Sequence, residues 1–300
     1  MTLKQKAGRS GTLRTEQTRT FVLFMIPGLL MYSFFLILPI MMGIYYSLMD
    51  WNGISPRYNY QGFENYKNLL TDRRFHQALA FNARYSVMLV IGIVGLGIAL
   101  ALMLNRPLKG RSFYRTLYFL PAVLSMITIS LIFNQIFFYV LPSIGKSLGS
   151  NLLGKNILAN RDTAIYGILF VHLWQGLALP TLLFLAGLQT IPEELYEAAA
   201  IAGASAWQQF KSITVVYLLP TLSVVLVLVV KQGLMVFDYV KAMTQGGPGG
   251  ATTSIALLIY NNGFERNRYS YSIAQAIVTG IIIALISVVQ IRSTAKRRVE

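Results

Sequence analysis

Apolar residues in this chain fall into long unbroken runs separated by short polar connectors. Five runs, 21–48, 85–104, 116–141, 164–188 and 213–237, reach the roughly 20 residues that carry a helix across a bilayer core. A sixth, 273–291, is just long enough. The pattern predicts an all-α integral membrane protein with six transmembrane helices. The expected plan is a tail over 1–20, a transmembrane body over 21–291 and a tail over 292–300, with no soluble domain and no short-period repeat. The first run is too long for a signal peptide and contains Pro27 and Pro39, which predict kinks in the first span.

Composition sharpens this picture. Hydrophobic residues make up 55% of the 300 and charged residues 12%, against roughly 25% charged in soluble domains. The net charge of +15 would suit a nucleic-acid partner, but its placement excludes one. Thirteen of the 26 Lys and Arg residues lie in 40 residues, within 1–20, 105–115 and 292–300. This asymmetry places those segments, and so both termini, in the cytoplasm. Cysteine is absent, which removes disulfides, thiolate metal sites and Cys nucleophiles.

Within the runs a few residues are out of place. Span two carries Gly92, Gly95 and Gly97, read as close helix packing. Span three begins at Phe119-Leu120-Pro121, and Asn134 and Gln135 are expected at its outer end. Span four contains His172, Trp174, Gln175 and Gly176, then Pro180; span five contains Lys231 and Gln232. Unpaired polar groups in hydrocarbon are costly, so these should face the bundle interior or a wet cavity. His172 serves either a solute or an interhelical hydrogen bond, and Lys231 either a solute or an ion pair with Asp238. The stretch Gln245-Gly246-Gly247-Pro248-Gly249-Gly250 reads as a tight loop. The apolar run 255–260 is too short to span, and is expected at the outer surface or dipping in against other helices.

The connector 189–212 carries a short helix. Thr190 is its expected N-cap with Glu193 as reciprocal partner. Glu193, Glu194 and Glu197 lie near the helix N-terminus, where carboxylates suit the dipole. Ala198, Ala199, Ala200, Ala202, Gly203, Ala204 and Ala206 leave a smooth surface, suited to a partner's groove or to an ordinary loop helix.

Glu197-Ala198-Ala199, Gly203 and Ile213 fit E-A-A-x3-G-x9-I. This resembles the EAA motif of membrane subunits of binding-protein-dependent ABC importers. The Leu-Pro pair that usually follows directly is replaced by Val215-Val216 and comes later, at Leu219-Pro220. A second match, Phe237-Asp238, Met243-Thr244-Gln245-Gly246-Gly247-Pro248, Thr252-Thr253, Tyr260 and Phe264, is similar to the signature of the maltose-permease-like carbohydrate branch. Gly62-Phe63-Glu64-Asn65-Tyr66 resembles the start of a short surface helix found in sugar permeases.

The resemblance covers nearly the whole chain and implies a type I ABC importer permease fold. It implies a second permease subunit, two cytoplasmic ATP-binding subunits, an extracellular solute-binding protein and a sugar substrate, in a bacterial or archaeal plasma membrane. ATP and Mg would then belong to the partner ATPases, with no cofactor on this chain. It further implies that Glu193, Glu194, Glu197, Ala198, Ala199 and Gly203 dock on an ATPase, and that His172, Trp174, Gln175 and Gly176, with Lys231 and Gln232, line the sugar pathway. No P-loop, H-E-x-x-H or G-x-S-x-G is present, so no catalytic role is expected, and the two histidines predict no metal site. A glycosyltransferase should show a clustered acidic motif near one interface, and none is found. The alternatives are a permease for glycerol phosphate or an acidic saccharide, or an ion-coupled secondary transporter. The last usually places a carboxylate at mid-membrane, and the eleven carboxylates here fall in tails, loops or span ends.

Overall fold

A computed structural model describes residues 21–106, 110–150 and 154–296. The basic tail over 1–20, together with Lys109, Arg297 and Arg298, lies outside the described residues.

Among the described residues six helical crossings are present, a bent pair counting as one. They are α1 (Phe21–Ser47), α3 (Arg73–Asn105), α5 (Met126–Ser147), the bent pair α6 (Ala164–Gly176) and α7 (Ala178–Leu188), α9 (Ala206–Leu234) and α12 (Tyr269–Lys296). Shorter elements join them. A two-stranded ribbon (β1, Met49–Asp50; β2, Asn59–Tyr60) and α2 (Glu64–Thr71) follow α1. Helix α4 (Arg111–Val123) precedes α5, and α8 (Glu193–Ile201) precedes α9. Helices α10 (Asp238–Met243) and α11 (Ile255–Tyr260) lie between α9 and α12.

Three extents differ from the hydropathy reading. Helix α3 starts at Arg73, twelve residues before the run 85–104, so Asn82 is helical. Asp72 caps it by accepting from the Arg74 N–H at 2.8 Å, and polar residues continue a capped helix beyond the lipid. Span three is not one helix over 116–141. The backbone is extended at Leu124 and Ser125, three residues after the helix-weakening Pro121. The crossing is therefore α5, and Asn134 and Gln135 sit in its middle. Asn134 donates to the Met243 carbonyl of α10. Span four bends by 48° between α6 and α7, because Pro180 cannot bond the Gly176 carbonyl one turn back.

Lipid tails are as apolar as leucine, so helix association rests on close packing and interhelical hydrogen bonds. Helix α3 is the central post, packed against α9, α7 and α6 through Tyr85, Leu89, Ile93, Phe184, Ile168, Val225 and Val229. Glycines set these approaches. A Cβ at Gly92 would lie 2.6 Å from Leu173, and one at Gly233 would lie 2.7 Å from the Ser86 Cα. Gly97 packs on Phe184, while Gly95 faces open space. Buried Asn82 joins three elements: its Nδ2 donates to the Leu234 carbonyl at 2.7 Å, and its Oδ1 accepts from the Ile255 N–H at 2.9 Å. Helix α11 accordingly dips inward, with Ile255, Leu257 and Leu258 buried. Only the last turns of α1 are covered, by α12.

At the ribbon end the 62–66 motif does structural work. Buried Asn65 donates to the Ser47 and Met49 carbonyls at 2.8 and 2.9 Å, and the Tyr66 hydroxyl meets Ser47 Oγ at 2.7 Å. These bonds terminate α1 and seat α2. Nearby, burial opposes the Asp72 charge, but the Tyr271 hydroxyl, the Arg74 and Phe75 N–H groups and Arg268 outweigh it and hold the carboxyl below its usual range.

Candidate functional site

A cavity of about 500 Å³ opens between α6, α9 and the start of α10. His172, Gln175 and Gly176 reach it from α6, Lys231 and Gln232 from α9, and Asp238 and Tyr239 from α10; Met126, Leu179, Leu228 and Phe237 supply apolar wall. Five of the six residues expected to line a pathway thus meet in one space. Trp174 does not line it. Positions 172, 175 and 176 are spaced i, i+3, i+4 and share a helix face, whereas 174 points elsewhere. Its indole packs edge-on against Phe133 at 5.3 Å and stays 41% exposed.

The cavity's polar groups are of two kinds. His172 and Gln175 are buried and already bonded within the chain. His172 Nδ1 meets the Tyr85 hydroxyl at 2.9 Å, and its ring stacks on Tyr239 at 4.4 Å. The Tyr239 hydroxyl donates to Gln175 Oε1 at 2.8 Å, and Gln175 Nε2 donates to the Leu124 carbonyl at 2.8 Å. The last bond satisfies the acceptor freed where span three breaks. Lys231 and Gln232 are exposed. Lys231 and Asp238 both line the cavity, yet no ion pair joins them. The interhelical bond considered for His172 is present, and the Lys231–Asp238 pair is not.

Tyr85, Tyr239 and the Leu124 carbonyl were invisible in the sequence. Asp238 was visible within Phe237-Asp238, but its position on the cavity wall was not. Among the described residues, no group of three or more His, Cys, Asp or Glu gathers as a metal site.

The opposite end of α9 carries the second region. Helix α8 starts after Pro192 with no side-chain cap, and Thr190 donates instead to the Gly187 carbonyl at 2.8 Å. The expected Thr190–Glu193 capping box is therefore absent. Pro192 is extended at ψ 132°, which puts the helix start two residues later than Thr190 would. Glu193 and Glu194 occupy the first turn, and Glu197 and Ala198 are exposed further along.

The end of α8 follows a local rule. Gly203 has φ +77°; its N–H donates to Ala200 at 3.0 Å, and the Ala204 N–H donates to Ala199 at 2.9 Å. These are the two bonds of a Schellman turn, which needs a left-handed residue where Gly203 stands. Ser205 and Gln208 then form a capping box that starts α9. The elbow leaves Ile201 89% and Trp207 70% exposed, with Trp207 stacked on Phe210 at 5.5 Å. The Tyr196 hydroxyl reaches Thr214 at 2.8 Å and ties α8 back to α9.

The Gly-rich loop is also built from its own sequence. Thr252 donates to the Gly247 carbonyl at 2.6 Å and meets Thr244 Oγ1 at 2.8 Å; Thr253 donates to the Gly246 carbonyl at 3.2 Å. The threonines of the second motif thus pin the loop that its glycines permit.

Comparison with known proteins agrees with this arrangement. Residues 93–297 match the family described as binding-protein-dependent transport system inner membrane component. The multiple sugar-binding transport system permease protein MsmF of Streptococcus mutans is 43% identical over 91% of this chain and 94% of its own length. The trehalose/maltose transport system permease protein MalF of Thermococcus litoralis is 35% identical over 95% of this chain and 97% of its own. In fold, the chain is similar to a solved bacterial ABC transporter involved in import of the acidic polysaccharide alginate. The TM-score is 0.81 at 23% identity, over 95% of this chain and 99% of that one. The six-crossing body and the matched length together make this chain a member of the family of inner membrane components of binding-protein-dependent transport systems.

Proposed function

We propose that the chain is a permease subunit of an ATP-driven sugar importer, forming the translocation pathway with a second permease. The observation that carries this reading is the cavity that gathers His172, Gln175, Lys231, Gln232 and Asp238 from three separate elements. Sugar recognition needs convergent donors and acceptors beside an apolar face, and the cavity supplies both. The names of the relatives from Streptococcus mutans and Thermococcus litoralis support a saccharide cargo.

Helix α8 is the joint to the motor. Its exposed Glu197, Ala198 and Ile201, and the Gly203 turn, suit a groove on one of two cytoplasmic ATP-binding subunits. Those subunits hold ATP and Mg, and this chain binds no cofactor and catalyses no reaction. An external binding protein delivers the sugar to the opposite end. Both termini and α8 then face the cytoplasm, in line with the Lys and Arg asymmetry.

A second reading has its own observation. Lys231 lines the cavity without an ion pair among the described residues, which favours an anionic solute. The sn-glycerol-3-phosphate permease protein UgpA of Agrobacterium fabrum is 27% identical over 92% of this chain.

The test is uptake by the complete complex, with neutral and anionic saccharides and glycerol phosphate in competition, alongside reporter fusions. Neutral saccharides are expected to compete best, with fusions after residue 60 and residue 250 outside and one after residue 200 inside. Transport without a copurifying ATPase, or a cytoplasmic reporter at 250, would overturn the importer reading. Competition by glycerol phosphate alone would select the second.

A further inference from the structure

Two members of the second motif, Tyr260 and Phe264, neither line the cavity nor hold the Gly-rich loop. Ser254 caps α11 by accepting from the Leu257 N–H at 3.2 Å. Ile255, Leu257 and Leu258 face inward, so Tyr260 is left toward the surface. The helix then widens into a π-turn over Asn261–Glu265, which carries Phe264 past Tyr260. The Phe237 and Tyr260 ring centroids lie 5.5 Å apart, and those of Tyr260 and Phe264 lie 5.3 Å apart. Phe237 is itself part of the cavity wall. Three rings therefore run from the cavity to the surface, Tyr260 being 36% and Phe264 70% exposed.

Charged groups are fixed beside the rings. Lys241 Nζ lies 4.6 Å from the Tyr260 ring centroid and 2.7 Å from Glu265 Oε1. With its amide turned so that the nitrogen faces the acceptors, Asn261 donates to Glu265 Oε2 and to the Leu257 carbonyl, each at 3.3 Å. The Glu265 carboxylate is thus held from both oxygens at an otherwise exposed position. Exposed ion pairs contribute little to stability, so the effect of this pairing is to orient the Glu265 carboxylate beside the rings. Its chemistry matches a pyranose ring, whose C–H face stacks on aromatics and whose edge hydroxyls bond an oriented carboxylate and ammonium.

We propose that Tyr260, Phe264, Lys241 and Glu265 form a second saccharide subsite, holding the sugar unit next to one lodged in the cavity at Phe237. The proposal rests on the reading of the chain as a sugar permease and adds a prediction about chain length. A sugar that ends in the cavity does not touch Phe264, and a longer one does.

The experiment measures uptake of gluco- and galacto-oligosaccharides of increasing length in cells carrying the whole transport system. The wild-type chain is compared with Phe264→Ala, Phe264→Leu and Glu265→Gln. An aromatic contact is worth about 0.5–1.5 kcal/mol, so loss of the ring should lower uptake of the longer members about two- to tenfold. The shortest transported member should be unaffected. Phe264→Leu keeps an apolar contact but no ring face, and should behave like Phe264→Ala. Equal loss at every length, or rescue by leucine, would show that Phe264 packs against a neighbouring subunit, and would overturn the subsite while leaving sugar import intact. If the wild-type system moves no saccharide of any length, the sugar reading fails and the subsite with it.

Discussion

The cavity and the α8–α9 elbow lie at opposite ends of α9 and are built on opposite principles. At the cavity, conformation depends on partners far away in sequence: Gln175 bonds Leu124 and Tyr239, and His172 bonds Tyr85. At the elbow, the bonds that shape the turn are local, and the Tyr196–Thr214 bond only ties α8 back to α9. The Gly203 turn and the Ser205–Gln208 box close within five residues of one another. At the cavity, His172 and Gln175 are buried by their own bundle, whereas the elbow leaves Ile201 and Trp207 bare. The proposed pathway needs polar groups whose desolvation is offset inside the membrane. The proposed docking joint needs a shape set mainly by local bonds and an apolar surface left for another subunit.

The strongest test of the contrast is Gly203→Leu. A left-handed conformation costs a side-chain-bearing residue about 1–2 kcal/mol, and leucine cannot take it as asparagine can. Nothing lies within 4 Å of a Cβ at this position, so the bundle itself should be undisturbed. Expected is normal membrane abundance, sugar-driven uptake and ATPase stimulation reduced at least tenfold, and partial recovery with Gly203→Asn. Wild-type uptake in Gly203→Leu would break the assignment of the elbow as the joint.

The second test compares neighbours on α6. Gln175→Ala leaves the Leu124 carbonyl and the Tyr239 hydroxyl without their partner, at about 1–3 kcal/mol for a buried group. Trp174→Ala removes only a half-covered contact with Phe133. Uptake at matched abundance should fall several-fold for Gln175→Ala and less for Trp174→Ala. The reverse order would mean that the solute runs along the Trp174 face and not through the cavity.

The smallest expected effect is at Asp72, whose long-range bond to Tyr271 at 2.6 Å contrasts with its local one to Arg74. Its carboxyl is held below the ordinary carboxylate range in the folded chain. Folding therefore gains from the charged form at pH above that ordinary range and loses the gain as pH falls through the lower, folded value. Thermal unfolding in detergent should show Asp72→Asn less stable than wild type at neutral pH, by about 0.5 kcal/mol at most once solvent screening is counted, because asparagine still caps the helix but carries no charge, with the difference vanishing in strong acid. A difference independent of pH would assign the effect to packing.

The two regions were not equally readable. The Glu197-Ala198-Ala199…Gly203 spacing marks the elbow because helix ends obey local rules. Even there the start was misplaced: Thr190 looked like a cap, but Pro192 sets the boundary. For the cavity, hydropathy pointed to the polar positions of spans four and five, since such groups in lipid must find company. It did not separate Trp174 from its neighbours, because which face of an apolar helix turns inward depends on what packs there. The break at Leu124 carried only Pro121 as a sign, and Asn82 fell outside the run 85–104 because a hydropathy window stops where the lipid does.

Chain-local information was enough for six crossings, the basic ends, the Gly203 turn and the Gly-rich loop. Each depends on hydrophobic length, charge asymmetry or φ preference, which act within a few residues. Tertiary structure decided that Asn82 would join α3, α9 and α11, that Gln175 would secure the Leu124 carbonyl, and that Phe237, Tyr260 and Phe264 would align. In an apolar solvent almost any helix face is acceptable to the lipid, so orientation is set by the few polar groups and glycines that find each other across the bundle.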